Sequence, residues 1–221
     1  MTTTTPTPPS SGVIQRALSE FQLPASDEQV LQIQQYIKIL LLWNEKINLT
    51  AIRDPVEILY RHICESMYAA EAIPLKGGRL ADLGSGGGFP GLPLKIIRPD
   101  LQVFLVESNI KKVTFLAEVI RELGLSGAQV LARRYEELGE EVAPLDYACS
   151  RALGEFPAFL EWARSQQIAA KQVILWIGGR DLEEIQKTQT WDWSEPIEVP
   201  HSLRRLLLVG TSKSSITGAS P

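Results

Sequence analysis

The chain has 221 residues, of which 44% are hydrophobic and 22% are charged, and its formal net charge is −4. These values match those of ordinary soluble domains, and they exclude wholesale disorder, a collagen-like fibre and a strongly basic nucleic-acid-binding domain. The two cysteines form no CxxC pair and no apolar run approaches the roughly 18 residues of a membrane span, so we expect no disulfide framework, no metal site and no membrane association.

Both ends of the chain are predicted to lie outside the folded body. Residues 1–12 hold five Thr, three Pro and two Ser, which cannot bury apolar surface, so we predict a disordered tail there. Residues 211–221 are rich in Ser, Thr and Gly and are predicted to form a flexible tail. The first residues also lack the basic and apolar regions of a secretory signal, which together with the cysteine usage predicts a cytoplasmic protein.

Residues 13–74 are predicted to form an amino-terminal helical extension. Ser26 and Gln29 have the spacing of a capping box, and apolar residues then recur at helical intervals as far as Trp43. The segment 44–50 interrupts this pattern. Asp54 followed by Pro55 then has the pattern of a second helix start.

From residue 79 onward, short apolar runs alternate with helical segments such as 111–123. Strands separated by helices predict an α/β domain over residues 79–210 with a mainly parallel seven-stranded sheet, whose last two strands pair antiparallel at one edge. The predicted strands are 79–83, 101–107, 128–132, 146–150, 172–177, 195–199 and 203–209.

A glycine-rich loop follows the first predicted strand, from Asp82 to Gly91, and it opens a helix near Leu92. Glycines allow a sharp turn and a close approach of the backbone to a ligand. The second predicted strand ends in Glu107, where a carboxylate can accept hydrogen bonds from both ribose hydroxyls of a nucleoside. Strand, loop, helix and spaced acid together predict a cofactor that contains adenosine, rather than a simple turn beside a solvated glutamate.

The spacing of the glycines bears on which cofactor binds. A dinucleotide fingerprint starting at Gly84 fails at its sixth position, Phe89. The loop matches D-x-G-x-G-x-G instead, the first motif of S-adenosylmethionine-dependent methyltransferases. Asp82 repels a diphosphate and can attract the ammonium of a methionine tail, directly or through water. An NAD-binding oxidoreductase and an RNA-binding protein with a vestigial cofactor site stay open as alternatives, although no hydride-transfer residue is evident.

Several longer segments carry a more specific resemblance. They are WNEKINLT at 43–50, RDP at 53–55, RHICES at 61–66, DLGSGGGFPGLPL at 82–94, RRYEEL at 133–138 and SRA at 150–152. With them the chain resembles the glucose-inhibited division protein B family, the bacterial 16S ribosomal RNA guanine-N7 methyltransferases, over residues 26–210. The resemblance implies a Rossmann-like class I methyltransferase fold with an N-terminal helical extension, S-adenosylmethionine as cofactor and 16S rRNA or a small-subunit ribosomal particle as partner. We expect the protein to act as a monomer.

The resemblance also implies the residues that contact the cofactor. Carried over by motif, they are Gly84, Phe89, Glu107, Ser108, Asn109, Tyr135, Glu136 and Arg151. Asp82 and Gly86 are added from the loop pattern itself. Arg151 has three open roles at a strand end: orienting the guanine, touching the cofactor carboxylate or binding phosphate, with a structural salt bridge as the alternative. Guanine N7 carries a free lone pair at neutral pH, so no general base is needed and no catalytic residue is assigned.

The RNA surface is predicted to be a local basic patch near the cofactor site, because the chain as a whole is acidic. Its candidate phosphate contacts are Lys46, Arg53, Arg61, Arg133, Arg134, Arg204 and Arg205. Where the family commonly has Lys-Gly after its fifth strand, this chain has Ile177-Gly178. The family's Glu-Arg before the last strand is Arg204-Arg205 here.

Two further side chains have competing interpretations. Cys149 lies in the fourth predicted strand, where a nucleophile for C5-pyrimidine methylation would stand, but a small buried apolar residue is the favoured interpretation. His62 lies in an arginine-flanked helix, and a hydrogen-bonded structural role is favoured over RNA contact.

Overall fold

Helices dominate the amino-terminal part of the chain. The computed structural model describes residues 7–151, 154, 156–202 and 204–213. Its helices before the sheet are α1 (Ser11–Glu20), α2 (Asp27–Asn44), α3 (Pro55–Ile58), a π-helical segment (Leu59–Cys64), α4 (Glu65–Met67) and α5 (Ala69–Ala72). The two predicted helix starts are confirmed: Ser26 and Gln29 form a reciprocal capping box, and the Asp54 carboxylate accepts from the N–H groups of Val56 and Glu57.

The second part is a mixed sheet with intervening helices. Its strands are β1 (Gly78–Leu83), β2 (Leu101–Val106), β3 (Ala128–Leu131), β4 (Tyr147–Ser150), β5 (Gln172–Gly178), β6 (Trp191–Trp193), β7 (Ile197–Glu198) and β8 (Arg205–Ser212). The helices are α6 (Gly91–Ile97), α7 (Ile110–Glu122), α8 (Phe156–Arg164) and α9 (Leu182–Gln186), with a 3-10 turn at Tyr135–Glu137. The strand order is β3-β2-β1-β4-β5-β8-β6.

The strand pairings confirm the predicted topology and add one strand. Each of the first five strands is parallel to its neighbours among those five, and β8 runs antiparallel to β5 and to β7. The strand that the sequence did not predict is β6, which pairs with the far end of β8. Because β6 and β7 lie along the same side of β8 at its two ends, they share one edge position, and eight strand segments fill seven places.

The predicted boundaries of the tails differ from the structure. Helix α1 begins at Ser11, Pro9 is buried, and the Gln34 side chain donates to the Pro9 carbonyl at 2.7 Å. At the other end, β8 continues to Ser212, whose N–H donates to the Lys171 carbonyl. Pro9 and residues 211–212 are thus held by tertiary hydrogen bonds, and residues 11–12 belong to α1, neither of which composition reveals. Residues 1–6 and 214–221 lie outside the described residues.

The sheet buries apolar side chains on both faces. One core includes the apolar faces of α1 and α2 together with α6, α7 and inward residues of β1, β2 and β5. The second core lies on the opposite face, under α8 and α9. The helical extension therefore shares its core with the sheet. No helix of the described residues is long and apolar enough to cross a lipid bilayer.

Candidate functional site

The glycine loop connects β1 to α6 at the carboxyl edge of the parallel strands. Gly84, Gly86 and Gly88 have φ angles of +69°, +56° and +88°, a conformation that side chains with a Cβ rarely adopt. At Gly88 an added Cβ would lie 2.6 Å from the Tyr36 hydroxyl, so packing alone requires glycine there. At Gly84 no atom lies within 4 Å of an added Cβ. Gly84 therefore leaves open space above the loop, which is the cradle a bound ligand requires.

Asp82 lies beneath the loop and is fully buried. Its Oδ2 accepts the Gly91 N–H at 3.0 Å, which fixes the start of α6 to the end of β1. Its Oδ1 is buried without a hydrogen-bond partner among the described residues. Burial raises the pKa of Asp82 to about 7, and Glu107 adds to that effect against the Gly91 and Ser85 hydrogen bonds. The carboxylate thus positions the loop. Because it is fully buried, it is not exposed for a direct contact with a methionine tail, which was one of the two predicted modes of contact, directly or through water.

The raised pKa of Asp82 predicts a pH-dependent stability. The folded chain holds this proton up to about pH 7, whereas the unfolded carboxyl group releases it near pH 3.8. Folded Asp82 therefore binds more protons than unfolded Asp82 in this window, and its contribution to stability decreases as the pH rises. We expect the free energy of unfolding of the wild type, relative to Asp82→Asn, to fall by about 3 kcal/mol between pH 5 and pH 8. Denaturant titrations at both pH values measure it, and a gap that does not change with pH contradicts the assignment.

Glu107 follows β2 and is held by two backbone groups. Its Oε2 accepts the Gly86 N–H at 3.0 Å and its Oε1 accepts the Asn109 N–H at 2.8 Å. Each carboxylate oxygen has a second lone pair, so two acceptor positions remain after these bonds. Asn109 caps α7 by accepting the N–H groups of Lys111 and Lys112. The acid is therefore oriented in advance for a pair of donors such as ribose hydroxyls.

One cleft of about 170 Å³ brings many of the predicted residues together. It is lined by Gly84, Val106, Glu107, Ser108, Arg133, Arg134, Tyr135 and Glu136. Five of these eight are predicted cofactor contacts, drawn from three separate segments of the chain. Arg133 and Arg134, which were assigned to RNA, line the same cleft, and Arg133 pairs with Glu141 at 3.0 Å. The open space at Gly84 and the oriented Glu107 fit the adenosine part of S-adenosylmethionine.

Phe89 packs away from this cleft. Its ring lies between Tyr36, at 5.7 Å between centroids, and His62, stacked at 4.6 Å. His62 Nε2 lies 2.6 Å from the Thr50 hydroxyl. Burial lowers the pKa of His62 to about 3, with Arg151 and Arg61 adding to the effect, so the ring is neutral at physiological pH. These contacts support the structural role for His62, and they tie the loop at 44–53 to the glycine loop.

Arg151 lies in a buried ion pair instead of facing the cleft. Its Nη2 lies 2.6 Å from Glu65 Oε2, and the two side chains are only 9% and 3% exposed. It also donates to the Ser66 hydroxyl at 3.0 Å and to the Arg61 and His62 carbonyls. Burial lowers the pKa of Arg151 to about 10 against the opposing effect of Glu65. The structure thus favours the structural alternative, in which Arg151 fastens the end of β4 to the π-helical segment.

The remaining basic candidates lie at the same edge of the sheet. Arg53 donates to the Asn44 carbonyl at 2.6 Å. Its loop passes close to the glycine loop, since an added Cβ at Gly87 would lie 3.6 Å from the Leu49 carbonyl oxygen. Arg205 Nε lies 3.8 Å from Glu65, beside Arg151. Exposed Arg61 pairs with Glu57 at 3.2 Å. Lys46 is exposed and lies in the same loop as Arg53. Arg204 is exposed and precedes Arg205 in the chain.

Cys149 is fully buried in β4, and burial raises the pKa of its thiol well above the usual value. A cysteine acts as a nucleophile only as the thiolate, so Cys149 is a buried core residue, which is the interpretation favoured from the sequence.

Sequence reasoning missed Glu65, whose only signal was a carboxylate inside the RHICES segment. It also missed Arg180, an exposed residue just past β5.

Comparison with known proteins agrees with this site. A family model described as "GidB: rRNA small subunit methyltransferase G" matches residues 29–202. The chain is 39% identical over 174 residues to ribosomal RNA small subunit methyltransferase G of Chromobacterium violaceum, covering 78% of this chain and 81% of that protein. It is 36% identical over 184 residues to the protein of the same name from Alkaliphilus metalliredigens, covering 81% and 77%.

Solved structures share the fold at low sequence identity. A SAM-dependent methyltransferase from Aquifex aeolicus superposes with a TM-score of 0.57 at 15% identity, covering 72% of this chain and 94% of that one. A ribosomal protein L11 methylase from Lactobacillus delbrueckii subsp. bulgaricus gives a TM-score of 0.55 at 15% identity, with coverage of 70% and 80%. At this identity the likeness shows the fold alone, and it confirms the predicted class I methyltransferase architecture.

Proposed function

Since the chain belongs to the rRNA small subunit methyltransferase G family, we propose that it transfers a methyl group from S-adenosylmethionine to N7 of a guanosine in 16S rRNA. The observation that carries this proposal is the cleft at the carboxyl edge of the sheet, where Gly84 leaves open space beside an oriented Glu107. In open α/β sheets, ligands bind at this edge. Ribosomal RNA is a cytoplasmic substrate, and we expect the protein to act there.

Three segments supply the groups that would hold the cofactor. Glu107 offers its two free acceptor positions to the ribose hydroxyls, and Tyr135 and Glu136 of the 3-10 turn also line the cleft. Gly84 and Gly86 provide the backbone approach. When bound, S-adenosylmethionine supplies a methyl group that is already activated by its sulfonium.

The chain's own residues then have to orient the reactants and exclude water. N7 has a free lone pair, so no side chain must remove a proton before the transfer. The rate enhancement is expected from alignment of the two reacting atoms in a largely dry site. The proposed reaction therefore requires no general base from the described residues of the glycine loop or the cleft.

The RNA surface is proposed to surround the cofactor cleft on both sides. Arg133 and Arg134 lie on the β3 side, and Arg61, Arg204 and Arg205 lie on the β8 side, with Lys46 and Arg53 in the loop beside the glycines. These side chains give an acidic chain a local positive edge. We propose a monomer, because the large apolar side chains that are exposed among the described residues are spread over three helices: Leu31 and Leu42 on α2, Val56 on α3 and Ile110 on α7.

Methylation of defined substrates tests the proposal. Purified protein is incubated with S-adenosylmethionine and either free 16S rRNA or isolated small subunits, and the RNA is digested for nucleoside mass spectrometry. We expect 7-methylguanosine in at least one of the two, and comparing them identifies the substrate form. Methylation of another base, or no transfer to either RNA, contradicts the proposed function.

Glu107 provides a test of the cofactor site itself. Glu107→Ala removes both acceptor positions and the anchors for the Gly86 and Asn109 N–H groups. We expect affinity for S-adenosylhomocysteine to fall by about 1–3 kcal/mol, the usual range for charge-assisted hydrogen bonds. Isothermal titration calorimetry measures this, with Glu122→Ala at the far end of α7 as the control. If the two variants bind S-adenosylhomocysteine with equal affinity, Glu107 does not contact the cofactor.

A further inference from the structure

A second cleft, which we call the arginine cleft, lies on the β8 side of the sheet. Its volume is about 460 Å³, and its lining includes Gly179, Arg180, Glu198, Ser202, Arg204 and Arg205. It is distinct from the cleft at Gly84, with which it shares no lining residue. The site proposed for the cofactor does not use it.

The backbone of the arginine cleft is built from two turns that are fixed by hydrogen bonds. After β5, the Gly178 N–H donates to Asp181 Oδ2 at 3.2 Å. Between β7 and β8, the Arg205 N–H donates to the Ser202 hydroxyl at 3.1 Å. The strand register sets Gly178 opposite Arg205, which brings the two turns face to face. An added Cβ at Gly179 would meet no atom within 4 Å, so the backbone itself borders open space.

The charges in the arginine cleft do not balance. Three guanidinium groups line it together with one carboxylate, that of Glu198, and a second carboxylate, that of Asp181, lies in the bordering turn. Arg205 lies 3.8 Å from Glu65, but Glu65 already pairs with Arg151 at 2.6 Å. Within the described part of the chain, neither Arg180 nor Arg204 forms a salt bridge. Gathering like charges is unfavourable without a counter-ion, so the arrangement is that of an anion site.

The chemistry of the anion follows from the side chains. A guanidinium presents donors in a planar fork that matches two phosphate oxygens, and several arginines in one cleft suit a phosphate better than a halide. β8 is three strands from β1 in the sheet, a separation of roughly 14 Å at about 4.8 Å per strand. That is too far to touch the methyl group above the glycine loop, but it is close enough for the backbone of an RNA whose base is held there.

We propose that the arginine cleft binds a backbone phosphate of the RNA substrate, at a nucleotide near the methylated one, through Arg180 and Arg204. The identity of the polyanion rests on the proposed function, whereas the binding site itself does not depend on methyl transfer. Arg180 is thereby assigned to the RNA surface, on which the sequence had placed only Arg204 and Arg205.

Charge-neutralising variants test the site. Arg180→Gln and Arg204→Gln keep a polar side chain at exposed positions, so the fold is expected to persist. Arg121→Gln is the matched control: its side chain is 74% exposed and lies in the last turn of α7, which runs away from this edge. Binding of a 16S rRNA fragment to each protein is measured by fluorescence anisotropy over a range of salt concentrations. S-adenosylhomocysteine affinity, kcat and KM for RNA are measured in parallel.

We expect Arg180→Gln and Arg204→Gln each to weaken RNA binding about tenfold and to lower the slope of log K against log salt by about 0.7–0.9, one phosphate contact. KM for RNA should rise while kcat and S-adenosylhomocysteine affinity stay at wild-type values, and Arg121→Gln should change none of these. A wild-type salt slope in both cleft variants overturns the proposal.

A second arm separates RNA phosphate from a free anion. Inorganic phosphate is titrated into the wild type and into Arg180→Gln. Saturable phosphate binding that is lost in Arg180→Gln, with RNA binding unchanged, would assign the cleft to a free anion and overturn the proposal. Loss of RNA binding in the variants of a protein that methylates no RNA would support the arginine cleft and contradict the proposed function alone.

Discussion

Gly84→Val is expected to abolish detectable binding of S-adenosylhomocysteine while most of the fold persists. The open space beside Gly84, where no atom lies within 4 Å of an added Cβ, is the space that the adenosyl group needs. A valine fills it with two methyl groups at the floor of the cleft. Isothermal titration calorimetry on folded protein is the measurement, with the thermal transition recorded for the same samples.

Gly124→Val is the matched control for this variant. Gly124 has a φ of +62°, against +69° at Gly84, and an added Cβ there also meets no atom within 4 Å. Valine is therefore strained at both positions, and we expect the two variants to lose comparable stability, of the order of 1–2 kcal/mol. Gly124 follows α7 at the opposite edge of the sheet, so its variant should keep wild-type affinity. If both variants bind alike, the cleft is not the cofactor site.

Arg151→Ala is expected to lower the free energy of unfolding by about 3–5 kcal/mol, because it leaves the buried carboxylate of Glu65 with only the more distant Arg205, at 3.8 Å, as a basic neighbour. Glu65 is 2% exposed, so water cannot replace the guanidinium. By contrast, Arg133→Ala breaks the ion pair with Glu141, in which both side chains are more than 40% exposed, and it should cost less than about 1 kcal/mol. Denaturant unfolding compares the two variants.

A double variant keeps this test informative if Arg151→Ala does not fold. Arg151→Met with Glu65→Gln removes the charge on both sides, and we expect it to recover much of the lost stability. Methyl transfer is measured on every variant that folds. An Arg151→Ala protein with wild-type stability and lost methyl transfer would contradict the structural role and return Arg151 to the cofactor or the RNA.

Features that depend on near neighbours were predictable from the sequence. The capping box joins Ser26 to Gln29 and the Asp54 cap joins residues two and three positions on, so the pattern and the structure coincide. Gly84 and Glu107 were likewise identified because each follows a predicted strand, and parallel strands bring their carboxyl ends to one edge. The cleft that contains both is the geometric result of that rule.

Features that depend on distant partners were not predictable. Arg151 and Glu65 are 86 positions apart, and nothing in the sequence near either residue indicates that the other neutralises it. Phe89 was expected to contact the cofactor, but its ring packs between the rings of Tyr36 and His62, which belong to two different helices. Strand β6 is three residues long and is defined by its pairing with residues 210–212 of β8, of which 211 and 212 were expected to belong to the tail.

The sequence by itself therefore determined the α/β architecture, the glycine loop with its acidic partner and, through the family motifs, the class of reaction. Those features rest on periodicity, caps and strand ends, which are local. Only the tertiary structure decided that Asp82 lies under the loop, that Arg151 pairs with Glu65, and that Arg180 joins Arg204 and Arg205 in one cleft. Burial and charge pairing decide those roles, and both are set by segments that meet in space after folding.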